Sequence, residues 1–171
     1  CEDGEMVYWG RDDVVEPLDL MRRVRASSTM PILMPWTVID GVAHADGALG
    51  PTGGFAIDAA RAAGYQRFIV IGTRERGYRK KQVSRPRALR TLVRQYPAVA
   101  QRLIDRPANY NRSLEELHDL EADGRALLLF PEEMPIGNNE RDLAKLEAMY
   151  QQGLAQGRAA LPAVREFCGL A

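Results

Sequence analysis

The sequence contains no Gly-x-Ser-x-Gly elbow, no Gly-x-Gly-x-x-Gly turn and no glycine-rich loop closed by Gly-Lys-Ser/Thr. The first absence leaves it without a recognisable serine nucleophile, and the other two leave it without a nucleotide fingerprint. Only two histidines are present, His44 and His118, and neither is paired with a serine by sequence context. No third ligand stands at metal spacing, so neither a metal site nor a cofactor is expected. The two cysteines, Cys1 and Cys168, sit at the two ends, form no CxxC, and say little about redox compartment. Net charge is also missing: 23 basic residues balance 23 acidic ones, so no global field favours nucleic acid or an anionic membrane. No nucleic-acid partner is expected. No apolar run approaches the ~20 residues of a membrane helix; the nearest, Met30 to Ile39, is short and broken by Pro31 and Pro35. There is no pattern of basic start plus apolar stretch at the front. The expected location is the cytoplasm, with the periphery of a membrane as the alternative.

What is present suffices for one domain with a real core: 171 residues, 46% of them apolar. The opening, Cys1-Glu2-Asp3-Gly4-Glu5, reads like the middle of a longer chain; a lipid-bearing first cysteine is the sharper alternative. Glu5 to Trp9 alternates weakly, as a short strand would. Leu18, Met21 and Val24 at helical spacing predict a helix over Pro17–Arg25 packed on one face. Pro31 to Ala45 reads as extended, folded back at Asp40-Gly41, a strong two-residue hairpin signal. Phe55–Ala63 predicts a helix closed by Gly64, and Phe68–Thr73 is a run of β-formers typical of a strand buried on both faces. Together with Val42–Ala45 these suggest a βαβ unit. Further on, the spacing predicts helices from Ala88 to Tyr96, from Pro97 to Asp105, and from a cap at Asn111 or Ser113 to Gly124. For the last, Ser113 and Glu116 form a capping box. A buried strand over Ala126–Phe130, a helix over Arg141–Gln156 with Leu143, Leu146, Met149, Tyr150 and Leu154 inward, and a closing helix over Ala159–Cys168 complete the chain.

The stretch that carries chemistry is Ala43 to Gly54. It delivers an acid, Asp46, from a strand end into a loop rich in glycine (Gly47, Gly50, Gly53, Gly54), with a helix behind it. Open α/β sheets place their sites at the carboxyl ends of strands, and an acid there can act as a general base toward a nucleophile. The competing reading is a turn, with Asp46 bonded to its own backbone and Gly47 supplying positive φ. His44, two residues earlier, reads as a packed or hydrogen-bonded histidine, and His118 as a surface or boundary residue. The basic loop Arg74–Arg87 reads first as solvated surface. It follows a strand's carboxyl end, however, and Arg74, Arg76 and Arg79 could meet an anion such as a lipid headgroup.

The order of these features resembles the C-terminal part of a bacterial patatin-like phospholipase. The resemblance runs through Arg25-Ala26-Ser27-Ser28-Thr29-Met30-Pro31, the Asp40-Gly41 hairpin and Asp46-Gly47-Ala48. It continues through Ile57 to Ala60 with Gly64, Phe68 to Thr73, the basic segment Arg74 to Lys81, and the tail from Pro131 through Gly153. It implies a fold: a partial three-layer α/β sandwich with a mostly parallel sheet flanked by helices. Residues 1–171 would form a single domain, the C-terminal part of a patatin-like hydrolase domain plus a helical tail. It implies an activity: a serine lipid acyl hydrolase with a Ser-Asp dyad, Asp46 matching the acid and Asp46-Gly47-Ala48 the motif. The nucleophile would lie in an upstream portion, so this chain alone would be inactive. The implied partners are a lipid or ester substrate and the segment that carries the serine. Gly53-Gly54-Phe55 departs from the proline and branched residue usual before the helix. An exposed sheet edge would favour homo-oligomers. The alternative is a non-catalytic α/β module that holds an anion with the glycine loop and Arg74, Arg76 and Arg79.

Overall fold

Asp40 and Gly41 both take positive φ, +52° and +80°, the backbone that a tight two-residue hairpin demands. They join β1 (Thr37–Ile39) to β2 (Val42–His44) in an antiparallel ladder, with Thr37 opposite His44 and Ile39 opposite Val42. This is the hairpin that the sequence predicts, shorter than expected at its front. Pro31 and Pro35 cannot donate to a ladder, and residues 30–34 instead close a turn from the Met34 amide to the Met30 carbonyl. Glu5–Trp9 likewise has no strand partner and is irregular.

The computed structural model describes residues 1–137 and 139–170. It divides into two compact units. The first comprises Cys1–Gly64 and Arg79–Leu114, the second Tyr65–Tyr78 and the chain from Glu115 onward.

The first unit holds α1 (Pro17–Ser27), the hairpin, α2 (Ile57–Ala62), α3 (Pro86–Leu92) and the front of α4 (Pro97–Ala122). Its core is Leu49, Val93, Val99 and Ala100, with Trp36, Leu89, Tyr96 and Leu103 packed around it. The Trp36 and Tyr96 rings lie 4.3 Å apart, tilted. Thus the loop that follows Asp46 is anchored in the core through Leu49.

The second unit holds β3 (Phe68–Ile71), the end of α4, β4 (Ala126–Leu129) and α5 (Leu143–Cys168). β3 and β4 pair in parallel, Phe68 beside Ala126 and Ile71 beside Leu129. The expected βαβ unit of β2, α2 and β3 is therefore not formed. β2 pairs with β1, and the parallel partner of β3 is β4, reached through α3 and α4. The chain is α/β, with one antiparallel and one parallel pair rather than one mostly parallel sheet. Past the parallel pair the chain is tight: a Cβ at Gly72 would stand 2.2 Å from the Phe130 ring.

Two predicted helix breaks are absent. α4 runs unbroken through Pro107 and through the Ser113–Glu116 box. Its buried positions, Val99, Ala100, Pro107, Asn109, Ser113, Leu114, Leu117 and Leu120, all fall on one half of the helix surface. Burial of that stripe outweighs the ~3 kcal/mol of an internal proline, so Ser113 is buried within the helix instead of capping it. α5 begins where Asp142 caps it, accepting from the Ala144 and Lys145 amides. It continues through Gly157 and Pro162 as one helix of 26 residues. Its expected inward stripe is inward only in part: Met149 and Leu154 are half-buried, whereas Leu143 is 79% exposed and Tyr150 63%.

Gly72→Ala should destabilise the chain by ~1–3 kcal/mol through overpacking, read as a lowered denaturant midpoint. Gly77→Ala, whose Cβ would meet nothing within 4 Å, should be near neutral, and Phe130→Leu combined with Gly72→Ala should recover part of the loss.

Candidate functional site

The site is built on Thr29, which is 1% exposed at the end of α1. Its hydroxyl donates to the Arg25 carbonyl at 2.8 Å and lies 2.9 Å from the Thr37 hydroxyl of β1. Its carbonyl accepts from the Asp46 amide at 2.8 Å. One buried residue therefore ties helix, hairpin and acid together. Downstream of it, the Asp46 side chain caps the single helical turn Gly47–Leu49, its Oδ1 accepting from the Ala48 amide at 2.7 Å. Among the described residues, Oδ2 accepts no further hydrogen bond.

The turn reading holds for the acid, whose side chain bonds its own backbone, but Gly47 does not take positive φ. Asp46 is held in its own turn, and it also lines a groove of about 600 Å³ in the first unit. The groove's walls are apolar where Leu20, Val24, Met6 and Val14 form them and polar at Asp46, His44 and Arg23. His44 is buried, as expected of a packed histidine. Its Nδ1 donates to the Val42 carbonyl at 2.8 Å, and its ring stacks on Trp9 with centroids 5.0 Å apart. Arg23 lies over the other partner of that stack, 5.7 Å from the Trp9 centroid.

The glycine loop serves packing. A Cβ at Gly53 would come within 2.5 Å of the Tyr110 backbone, and Gly53 also takes φ +66°. A Cβ at Gly50 would stand 2.9 Å from the Met6 sulfur.

The residues that sequence reasoning missed lie in the irregular stretch before α1. Tyr8 and Trp9 line the groove; an aromatic pair inside an otherwise charged, turn-rich segment was the available signal. The Tyr8 hydroxyl donates to Asp58 at the start of α2, 2.7 Å from each carboxylate oxygen. Burial and that bond to Asp58 push the Tyr8 phenol up to about 12.

The basic residues named as anion contacts are divided between the two units. In the second unit, Arg76 makes a two-pronged pair with Glu121 at 2.6 and 2.8 Å. That bond holds the Glu121 carboxyl below its usual range. Arg74 lies 5.4 Å from the Tyr78 ring centroid. In the first unit, Arg79 reaches the Asn111 carbonyl. Asn111, expected as a helix cap, instead clasps the Lys80 backbone, accepting from its amide at 2.9 Å and donating to its carbonyl at 3.0 Å. His118 sits at the boundary beside Glu121, 3.6 Å away. Among the described residues, no group of three or more His, Cys, Asp or Glu could hold a metal ion, and no helix is long and apolar enough to cross a membrane.

Residues 96–169 match a family described as a domain of unknown function (DUF6363). The match begins at the foot of α4 and takes in β4 and α5, downstream of the Asp46 groove. Neither the curated proteins nor the solved structures contain a match to the chain.

Thr29→Val should cost ~1–3 kcal/mol, because it strands the Thr37 hydroxyl in the interior; urea denaturation checks it, with the exposed Ser28→Ala as the near-neutral comparison. Titration of the phenolate absorbance, taken as the difference between the native chain and Tyr8→Phe, should place Tyr8 near 12. Asp58→Asn should bring that midpoint back down. A phenol whose folded value is raised stabilises fully below the unfolded value of ~10 and loses that contribution as pH rises through the folded value. The native chain should therefore lose stability between the two more steeply than Tyr8→Phe.

Proposed function

We propose that this chain supplies the acid of a Ser-Asp dyad in a patatin-like serine lipid acyl hydrolase. Asp46 acts as general base, and the serine comes from a segment outside the 171 residues. The observation that carries the reading is the carboxylate itself. It stands just past the end of β2, fixed through Oδ1 by the Ala48 amide with Oδ2 uncommitted, on a residue that lines a groove with apolar walls. A base must be held still and within hydrogen-bond reach of the proton it takes, and the Thr29 carbonyl and the Ala48 amide hold this one from two sides.

In the reaction proposed, the serine hydroxyl attacks the ester carbonyl while Oδ2 takes its proton. The alkoxide of the alcohol leaves with that proton as the acyl-enzyme forms, and water then repeats the sequence. No histidine is required, because the scaffold sets the acid directly against the hydroxyl. His44, bound to the Val42 carbonyl and stacked on Trp9, keeps the hairpin side of the groove rigid. Support for the patatin-like sandwich as the fold of the intact protein comes from the ordered sequence features and from the α/β content, with the hairpin and acid loop followed by a parallel strand.

The chain as given should not turn over a p-nitrophenyl ester. A longer product of the same gene that contains the serine should do so, and Asp46→Asn in it should lower kcat by ~10²–10⁴-fold with the melting temperature little changed. Full activity in Asp46→Asn would overturn the assignment.

A further inference from the structure

Between Glu75 and Asp105 the sequence has no acidic residue, while Arg76, Arg79, Lys80, Lys81, Arg85, Arg87, Arg90, Arg94 and Arg102 all fall in that interval. A chain with no net charge therefore concentrates positive charge in one segment. Lys81, Arg85, Arg87, Arg90 and Arg94 are exposed. Among the described residues no carboxylate pairs with any of them; Arg90 makes one bond, to the neutral Gln101 amide. Arg87 and Arg90 stand three apart on α3 and share a side of it, and Arg94 follows in the turn past its end. Leu89 and Val93 turn inward toward the core. Leu92, on the flank of α3 away from Arg87 and Arg90, is 65% exposed and takes no part in this face.

We infer that this face of α3, with the loop that leads into it, docks the protein on an anionic lipid surface. Unpaired cations next to a negative surface gain roughly fivefold in partition each, and arginine holds phosphate with a geometrically matched fork. A lipid surface fits better than a nucleic acid. Residues 79–94 contain no aromatic side chain, whereas binding of single strands relies on stacking platforms. This surface is distinct from the Asp46 groove, and its binding is read without turnover, so it stands or falls separately from the hydrolase reading.

The test is co-sedimentation of the full chain with vesicles of phosphatidylcholine alone and of phosphatidylcholine mixed with phosphatidylglycerol. The chain should sediment with the mixed vesicles only, and release should follow as salt shortens the Debye length toward ~3 Å. Replacing Arg85, Arg87, Arg90 and Arg94 with Gln should cut the partition by ~100-fold or more. A control that replaces Arg22, Arg61, Arg125 and Arg158 with Gln carries the same net charge and should cut it far less. If the fourfold variant fails to fold by circular dichroism, the pairs Arg85→Gln/Arg87→Gln and Arg90→Gln/Arg94→Gln are compared instead, each expected to lose about the square root of the full effect. Equal binding to neutral vesicles, equal loss in the control, or retention of single-stranded DNA without retention of anionic vesicles would overturn the proposal.

Discussion

The interior hydroxyl of Thr29 is the constraint from which the first unit is built. Its own donor goes to the Arg25 carbonyl, and the buried Thr37 hydroxyl, which would be costly to leave without a partner, finds one only when the first residue of β1 arrives against it. Once it does, the Thr29 carbonyl faces the Asp46 amide and fixes where the acid leaves the hairpin. The position of the carboxylate thus follows from a backbone bond at its amide together with the Ala48 amide on its own side chain. This explains how Asp46 can occupy an ordinary capping turn and still line a groove.

The same logic governs the loop beyond the acid. Leu49 enters the core, while Gly50 and Gly53 admit the Met6 side chain and the Tyr110 backbone at distances no side chain would allow. The loop is rich in glycine because it is overlaid, which is a packing explanation and not a phosphate-binding one. It also explains why this sequence departs from the proline and branched residue that the patatin resemblance leads one to expect before α2. With Gly53 at positive φ beneath Tyr110, neither residue type would fit there.

Local chemistry was legible wherever the signal lay within a few residues. The Asp40-Gly41 turn, the Gly64 stop after α2, the β-forming runs of β3 and β4, and the conspicuous acid at Asp46 are all short-range facts, and the fold contains each of them. What was not legible depended on partners far along the chain. Pro107 and the Ser113–Glu116 pair are good local evidence for a break in α4, yet a long buried stripe on one face overrode them. The pairing of β3 with β4 rather than with the preceding strand is set by which apolar run finds which, and no local pattern encodes it. Glu5–Trp9 alternates as a strand would, yet it pairs with no strand and is irregular, so Tyr8 and Trp9 carry no local signal of what they meet. The segment's role shows only when Asp58 and His44 are brought against it.

A balanced net charge hides an unbalanced chain. Charges act over about a Debye length, ~8 Å at physiological salt, so a surface responds to its own neighbours and not to the sum over 171 residues. Arg76 illustrates the ordinary case: a carboxylate, Glu121, takes both prongs of its guanidinium, leaving it committed to structure. Arg85, Arg87 and Arg94 illustrate the opposite case, because the absence of acidic residues between Glu75 and Asp105 leaves no nearby partner in sequence and none is recruited from elsewhere among the described residues. Exposed ion pairs contribute little to stability in either event, so folding alone gives no reason to gather cations there. The clustering is better explained by something outside the fold that carries negative charge.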